Sequence, residues 1–312
     1  MLLSNLVHVG LLLGPGVNGA PVQEKQEKQE VVNLGRNFDL TIYTNNVRYP
    51  APYLKRKEFE LPWEDRKSGV IQTIISNTKN GPSLVGLQET KYQPLKDVLR
   101  GLNAGTTGDW VHFGVGRDDG KKKGEYAPVL YDSNEWKLLN GTTRWLSKTP
   151  LEPSKYPTAG SIRIVTLTTL EHRKTSERVN FINTHLDDRS EEARDYGVRL
   201  IDSYIQQIPN SYPVFLSGDF NSVATDPAYK LAASALSDSS SVASKDINAN
   251  LPSFSGFANA SGTTIDFIFS KPGINSTTQI DVINHEVIDN LFDYGHRFSD
   301  HRPVLASFSL IH

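Results

Sequence analysis

Pro213-Val214-Phe215-Leu216-Ser217-Gly218-Asp219-Phe220-Asn221 is the stretch on which the reading of the fold turns. Val214, Phe215 and Leu216 form an unbroken apolar run, the pattern of a strand covered on both faces. Gly218 interrupts it. Asp219 and Asn221 follow two residues apart, which puts both side chains on one side of an extended backbone. A carboxylate and an amide side by side at the end of a buried strand suit the gripping of a metal-bound water or an anionic phosphorus centre. Gly, Asp and Asn also make ordinary turns, so the meaning of this end depends on the other strand ends of the chain.

Five further apolar runs carry polar groups at comparable places. Leu40 to Tyr43 leads into Thr44-Asn45-Asn46, and Leu84 to Leu87 leads into Gln88-Glu89. Val179 to Ile182 ends in Asn183-Thr184-His185, Asp266 stands inside Thr264 to Phe269, and Ser299-Asp300-His301 precedes the final run from Val304. Singly, each has an ordinary explanation as a cap, a turn or a satisfied core group. Jointly they are hard to explain by packing, because unpaired buried polar groups are costly. Convergence on one site is the expectation.

Around these ends the chain alternates strand and helix patterns. Strands are expected over Phe38–Val47, Leu84–Leu87, Val111–Val115, Ala127–Tyr131, Arg163–Leu170, Arg178–His185, 213–217, 264–270, 280–288 and Val304–Leu310. Helical spacing marks Trp63–Thr78, Leu95–Leu102, Glu191–Ile208 and Pro227–Ala235. Residues 48–62, 101–110, 145–162 and 237–262 read as loops. Strand pairs occur beside β–α–β steps, so a simple doubly wound parallel sheet fits poorly. The expected class is α/β, a four-layer sandwich of two packed mixed sheets flanked by helices, over residues 37–312. Leu2 to Leu13 followed by Gly19-Ala20 has the pattern of a signal peptide over 1–20, implying secretion. The apolar run is too short to span a bilayer. Residues 21–36, rich in Gln, Glu and Lys, read as a polar linker.

Composition narrows the chemistry. With 33 Lys plus Arg against 35 Asp plus Glu, the net charge is −2, without the basic excess of a dedicated duplex binder. The absence of cysteine excludes disulfides, zinc–thiolate centres and cysteine nucleophiles. Carboxylate and amide oxygens without a histidine cluster suit Mg²⁺, or Mn²⁺, rather than zinc. Acids and two histidines around such an ion read as metal-assisted phosphoester hydrolysis. No obligate protein partner is indicated.

The motifs Thr44-Asn45-Asn46-Val47-Arg48-Tyr49, Leu87-Gln88-Glu89, Asn183-Thr184-His185-Leu186, Gly218-Asp219-Phe220-Asn221, Ile265-Asp266-Phe267-Ile268 and Ser299-Asp300-His301-Arg302-Pro303-Val304 together resemble the endonuclease/exonuclease/phosphatase superfamily, whose fold is that of DNase I. The segment from Gly114 to Tyr126 with Trp145-Leu146-Ser147 is similar to a secreted or bacterial subgroup nearest the deadenylase/nocturnin branch. Ser253-Phe254-Ser255-Gly256-Phe257 stands where that subgroup has Thr-Phe-x-Gly. The resemblance implies Glu89 as main metal ligand, helped by Asn46, with Asp300 at or near the metal. It implies Asp219 acting on the attacking water, Asn221 on a phosphoryl oxygen, and His301 paired with Asp266. His185 would serve the leaving oxygen, with Glu125 orienting it. Arg48 and Arg117 are candidate phosphate contacts, and Lys121-Lys122-Lys123 reads as a solvated loop. A nuclease acting on single strands and an inactive binding module of the same fold are the alternatives.

Overall fold

Period-two alternation sorts the side chains of nearly every long strand here between two apolar interfaces. In the computed structural model, which describes residues 37–258 and 262–312, Phe38, Leu40 and Ile42 face one way and Tyr43 the other. The expected signal peptide and linker lie outside the described residues.

Among the described residues, thirteen strands and five α-helices follow in chain order: β1 (Phe38–Asn46), α1 (Trp63–Thr78), β2 (Ser83–Gln88), α2 (Tyr92–Gly105), β3 (Trp110–Phe113), β4 (Val129–Asp132), β5 (Trp136–Trp145), β6 (Ile164–His172), β7 (Arg178–His185), α3 (Glu191–Gln206), β8 (Val214–Asp219), α4 (Pro227–Ala235), β9 (Ser237–Asp238), α5 (Ser239–Val242), β10 (Lys245–Ile247), β11 (Asp266–Lys271), β12 (Gln279–Val287) and β13 (Val304–Ile311). They form two mixed sheets, in the orders β10-β12-β13-β1-β2-β4-β3 and β5-β6-β7-β8-β11-β9. Leu40, Ile42, Leu84, Phe181, Phe215 and Phe308 fill the space between the sheets. Val70, Ile74 and Val98 of α1 and α2 cover the first sheet against Tyr43, Val85 and Leu87. Val198, Ile201 and Ile205 of α3 cover the second against Ile182 and Leu216. This is the four-layer sandwich expected from the sequence.

Two segments differ from the sequence reading. β5 carries no period-two signal, because a bulge between Leu138 and Asn140 breaks its register with β6 and one long side lies at the sheet edge. Residues 237–247, read as loop, hold β9, α5 and β10, elements too short to show a period.

Register aligns the polar ends. β7 and β8 run parallel with His185 opposite Asp219, and β11 runs antiparallel to β8 with Asp266 opposite Asp219. β1 and β2 run parallel and finish together, Asn46 opposite Gln88. Beneath this rim the sheets are bolted by polar contacts. Asn183 Nδ2 donates to Leu87 O and Pro128 O, both at 2.8 Å, and its Oδ1 accepts from Gln88 Nε2 at 2.7 Å.

Candidate active site

Asp219 sits at the focus of the rim, 1% exposed. Gly218 delivers it there: at φ 155° it passes so close to β7 that a Cβ would lie 2.2 Å from Thr184 O. Asp219 Oδ1 accepts from Asn221 N at 2.9 Å, and Oδ2 accepts from Asn46 Nδ2 at 2.9 Å. The same Oδ2 lies 3.4 Å from His185 Nε2 and 3.7 Å from His301 Nε2. On its other side, His301 Nδ1 is 2.8 Å from Asp266 Oδ2. Asp266 is in turn held by Ser253, whose Oγ donates to Asp266 Oδ2 at 2.7 Å while accepting from Ile265 N and Asp266 N at 3.0 Å.

Electrostatics follows from this order of charges. Burial opposes a charged His301, but Asp266 and Asp219 on either side outweigh it and raise its pKa to about 10. Burial raises Asp219 to about 7, with His301 pulling down and Asp266 pushing up. His185 is lowered well below its ordinary value by burial and by the Arg163 and Arg117 guanidiniums, so it is neutral at pH 7. With Asn221 Nδ2 donating to its Nε2 at 3.1 Å, the neutral ring carries its proton on Nδ1.

A second cluster adjoins the first. Asn46 Nδ2 also donates to Glu89 Oε1 at 3.0 Å, and Glu89 Oε2 accepts from Tyr49 N at 3.1 Å. Arg48, Glu89 and Asn221 all adopt left-handed backbone (φ 55°, 57° and 46°), a conformation few non-glycine residues hold and one that concentrates at working sites. Asp300 is buried, and its only side-chain donor among the described residues is Ser299 Oγ at 3.5 Å. Burial and the neighbouring Glu89 push its carboxyl pKa upward. Two crowded carboxylates are what a hard divalent cation offsets, so Glu89 and Asp300 could hold one; the Asn46 amide oxygen accepts from Arg48 N at 3.0 Å and would have to turn to join them. Asp219, Asp266 and His301 also offer ligand atoms within 4.8 Å of one another. Within that trio, His301 Nδ1 and Asp266 Oδ2 are already hydrogen-bonded at 2.8 Å.

Both clusters line a cleft of about 690 Å³ rimmed by Arg48, Lys55, Lys57, Lys91, Arg117 and Arg163. The profile of the Endonuclease/Exonuclease/phosphatase family matches residues 46–301, running from Asn46 to His301. The chain belongs to the endonuclease/exonuclease/phosphatase family. Family members are phosphoesterases or nucleases. A family protein from Bacteroides thetaiotaomicron has a similar structure, with TM-score 0.77 and 26% identity over 88% of this chain and 98% of that one. A mannosyl-6-phosphatase from Bacteroides thetaiotaomicron VPI-5482 is similar at TM-score 0.75 and 26% identity, over 86% of this chain and 99% of that one. Rat nocturnin is 25% identical over 284 residues, 85% of this chain. The chain spans 61% of the length of that relative.

Within this family site, Asn46, Glu89, His185, Asp219, Asn221, Asp266, Asp300 and His301 come together. Arg48 reaches the cleft but is shared with Glu60 at 3.4 Å and Glu89 at 3.9 Å. Arg117 is paired with Glu125 at 2.8 Å. Glu125 thus meets Arg117, while the hydrogen-bond partner found for the His185 ring is Asn221. Both amide hydrogens of Asn221 are engaged, one by His185 Nε2 and one by Leu186 O at 3.0 Å.

Sequence reasoning missed three residues. Ser253 holds Asp266, and the only signal was its place in the Ser-Phe-x-Gly segment. Arg66 of α1 is fully buried and donates to Leu61 O, Val47 O, Phe298 O and Arg48 O, tying the Asn46 strand end to the loop before Asp300. Arg163 lines the cleft and pairs with Asp188 at 2.8 Å. Neither arginine carries a local sequence signal.

Proposed function

We propose that the protein hydrolyses a phosphoester by in-line attack of water, with Mg²⁺, or Mn²⁺, held by Glu89, Asp300 and Asn46. The observation that carries this reading is Asp219 Oδ2, met at once by Asn46, His185 and His301 on the floor of a cation-rimmed cleft. When bound, the ion supplies charge neutralisation at the phosphoryl oxygens. Asp219, with its pKa near working pH, orients the attacking water and accepts its proton. The His301 imidazolium, fixed by Asp266, faces the charge that develops on the phosphoryl group. Asn221 turns one amide hydrogen from His185 to a phosphoryl oxygen, which frees His185 Nε2 toward the leaving oxygen. An arriving phosphate dianion raises the basicity of His185, so the ring gains a proton to deliver there. Arg48, relaxed from Glu60 and Glu89, and Arg117, held in place by Glu125, steady the remaining oxygens. The cleft volume and the similarity to a mannosyl-6-phosphatase favour a compact phosphate-bearing head group.

A second reading is cleavage of single-stranded nucleic acid. Lys55, Lys57 and Lys91 favour it, since they line the rim without a carboxylate partner among the described residues. A panel of sugar phosphates, phospholipid head groups and a labelled oligonucleotide, assayed with purified protein, separates the two. EDTA should abolish turnover and Mg²⁺ or Mn²⁺ restore it. Asp219→Ala should lower turnover by at least about a hundredfold, and near-normal activity in that variant would refute the assignment.

A further inference from the structure

Ten large apolar side chains are exposed among the described residues, and five of them belong to two touching loops. Tyr53 (78% exposed), Leu54 (93%) and Phe59 (53%) stand on the loop between β1 and α1. Leu291 (42%) and Tyr294 (62%) stand on the loop that leads to Asp300 and His301. The loops meet where His296 Nδ1 lies 3.4 Å from Phe59 O.

The projection is built, not slack. The 3₁₀ turn Tyr53–Lys55 has no buried residue, yet both roots of the loop are anchored. At one end Ala51 is buried, and its carbonyl accepts from Arg56 Nε at 3.4 Å. At the other, Glu60 is buried, pairs with Arg48 and accepts from Lys57 N at 2.9 Å. This scaffold holds Tyr53 and Leu54 outward instead of folding them onto the core. Lys55, Arg56 and Lys57 interleave with the apolar tip, against Glu58 on the same loop and Asp293 between Leu291 and Tyr294 on the other, in a chain whose net charge is −2. Pro52, Lys55 and Lys57 also line the catalytic cleft.

We propose that this apolar and cationic projection docks the protein on an anionic lipid bilayer, with the cleft mouth facing the membrane. Leu54 and Phe59 gain by entering the acyl boundary, while the lysines meet acidic head groups. A nucleic acid would use the cations and Tyr53 but offers nothing to the most exposed leucine. The docking rests on the phosphoester reading only for its consequence, that the substrate phosphoester is borne on the membrane.

Flotation of the full chain with vesicles tests it without turnover. The protein should float with phosphatidylcholine vesicles containing about 30% phosphatidylserine and not with phosphatidylcholine alone. Raising NaCl from about 0.1 M to about 0.5 M should release it. Leu54→Glu should weaken binding at least about tenfold and leave turnover of a soluble phosphoester unchanged. Lys55→Ala and Lys57→Ala should each weaken it about fivefold. Leu151→Glu, at another exposed leucine (76%) on the loop between β5 and β6, should bind like the parent, and so should Asp219→Ala. Failure to float with anionic vesicles, or equal floating of Leu54→Glu, overturns the proposal. Oligothymidylate binding lost in the same variants, without vesicle binding, reassigns the face to single-stranded nucleic acid.

Discussion

Removing one hydroxyl, that of Ser253, should damage both stability and turnover. Ser253 is fully buried, and its Oγ uses its full bonding capacity: one bond donated to Asp266 Oδ2 and two accepted from Ile265 N and Asp266 N. Ser253→Ala deletes all three and puts no polar atom in their place. At about 1 kcal/mol net for each lost bond, the change costs about 3 kcal/mol. For a domain of this size that is a fall in Tm of about 5 °C. Asp266 Oδ1 has no hydrogen-bond partner among the described residues, so Asp266 would keep His301 as its remaining side-chain partner and lose the contact that sets its rotamer. Loss of such outer-shell support typically costs about 10–100-fold in activity. Urea unfolding and steady-state kinetics with Mg²⁺ measure the two effects. Ser253→Thr, which keeps the hydroxyl, should restore most of the turnover. Parental stability together with parental kcat in Ser253→Ala would refute the reasoning that Ser253 positions Asp266.

Three other outcomes follow from the same geometry. Arg66→Met leaves four backbone carbonyls without their donor and should cost about 4 kcal/mol in denaturant unfolding; an unchanged midpoint would show that the loops hold themselves. Gly218→Ala drives a Cβ against Thr184 O and should part β7 from β8, giving a less stable protein with turnover lowered more than the thermal shift alone accounts for. In metal-free protein, the raised pKa values of His301 and Asp219 mean that the folded state holds protons the unfolded chain has released. The stability His301 contributes is complete below its unfolded value near 6.5 and is lost as pH rises toward about 10. Unfolding midpoints in EDTA should therefore decline over that window, and His301→Gln should flatten the decline; a rise with pH would contradict the charge order Asp266–His301–Asp219.

Most of the site was legible because its chemistry demands scarce residue types at strand ends. Asp219 and Asn221, His185, Glu89 and the Ser299-Asp300-His301 run stand out from apolar surroundings without any knowledge of what they touch. Asn183 and Gln88 belong to the same motifs but turn into the space between the sheets, where they bind β2 and β7 together. Alternation along a strand says only which face a side chain takes, not what waits there. β5 was illegible for a related reason: a bulged edge strand has neither uniform burial nor an unbroken period.

The sequence by itself determined the layers and the list of candidate groups, since hydrophobic periodicity and polar residues at the ends of apolar runs are both local properties of a chain. Only the tertiary structure decided how those groups are charged and held. Asp219 meets His301 because β8 and the segment before β13 arrive at one rim from 82 residues apart in the chain (301 − 219). Ser253, Arg66 and the Tyr53–Leu54 projection acquire their meaning from neighbours far away in sequence, and the burial and close charge pairs that together shift the pKa values here exist only once the sheets have closed.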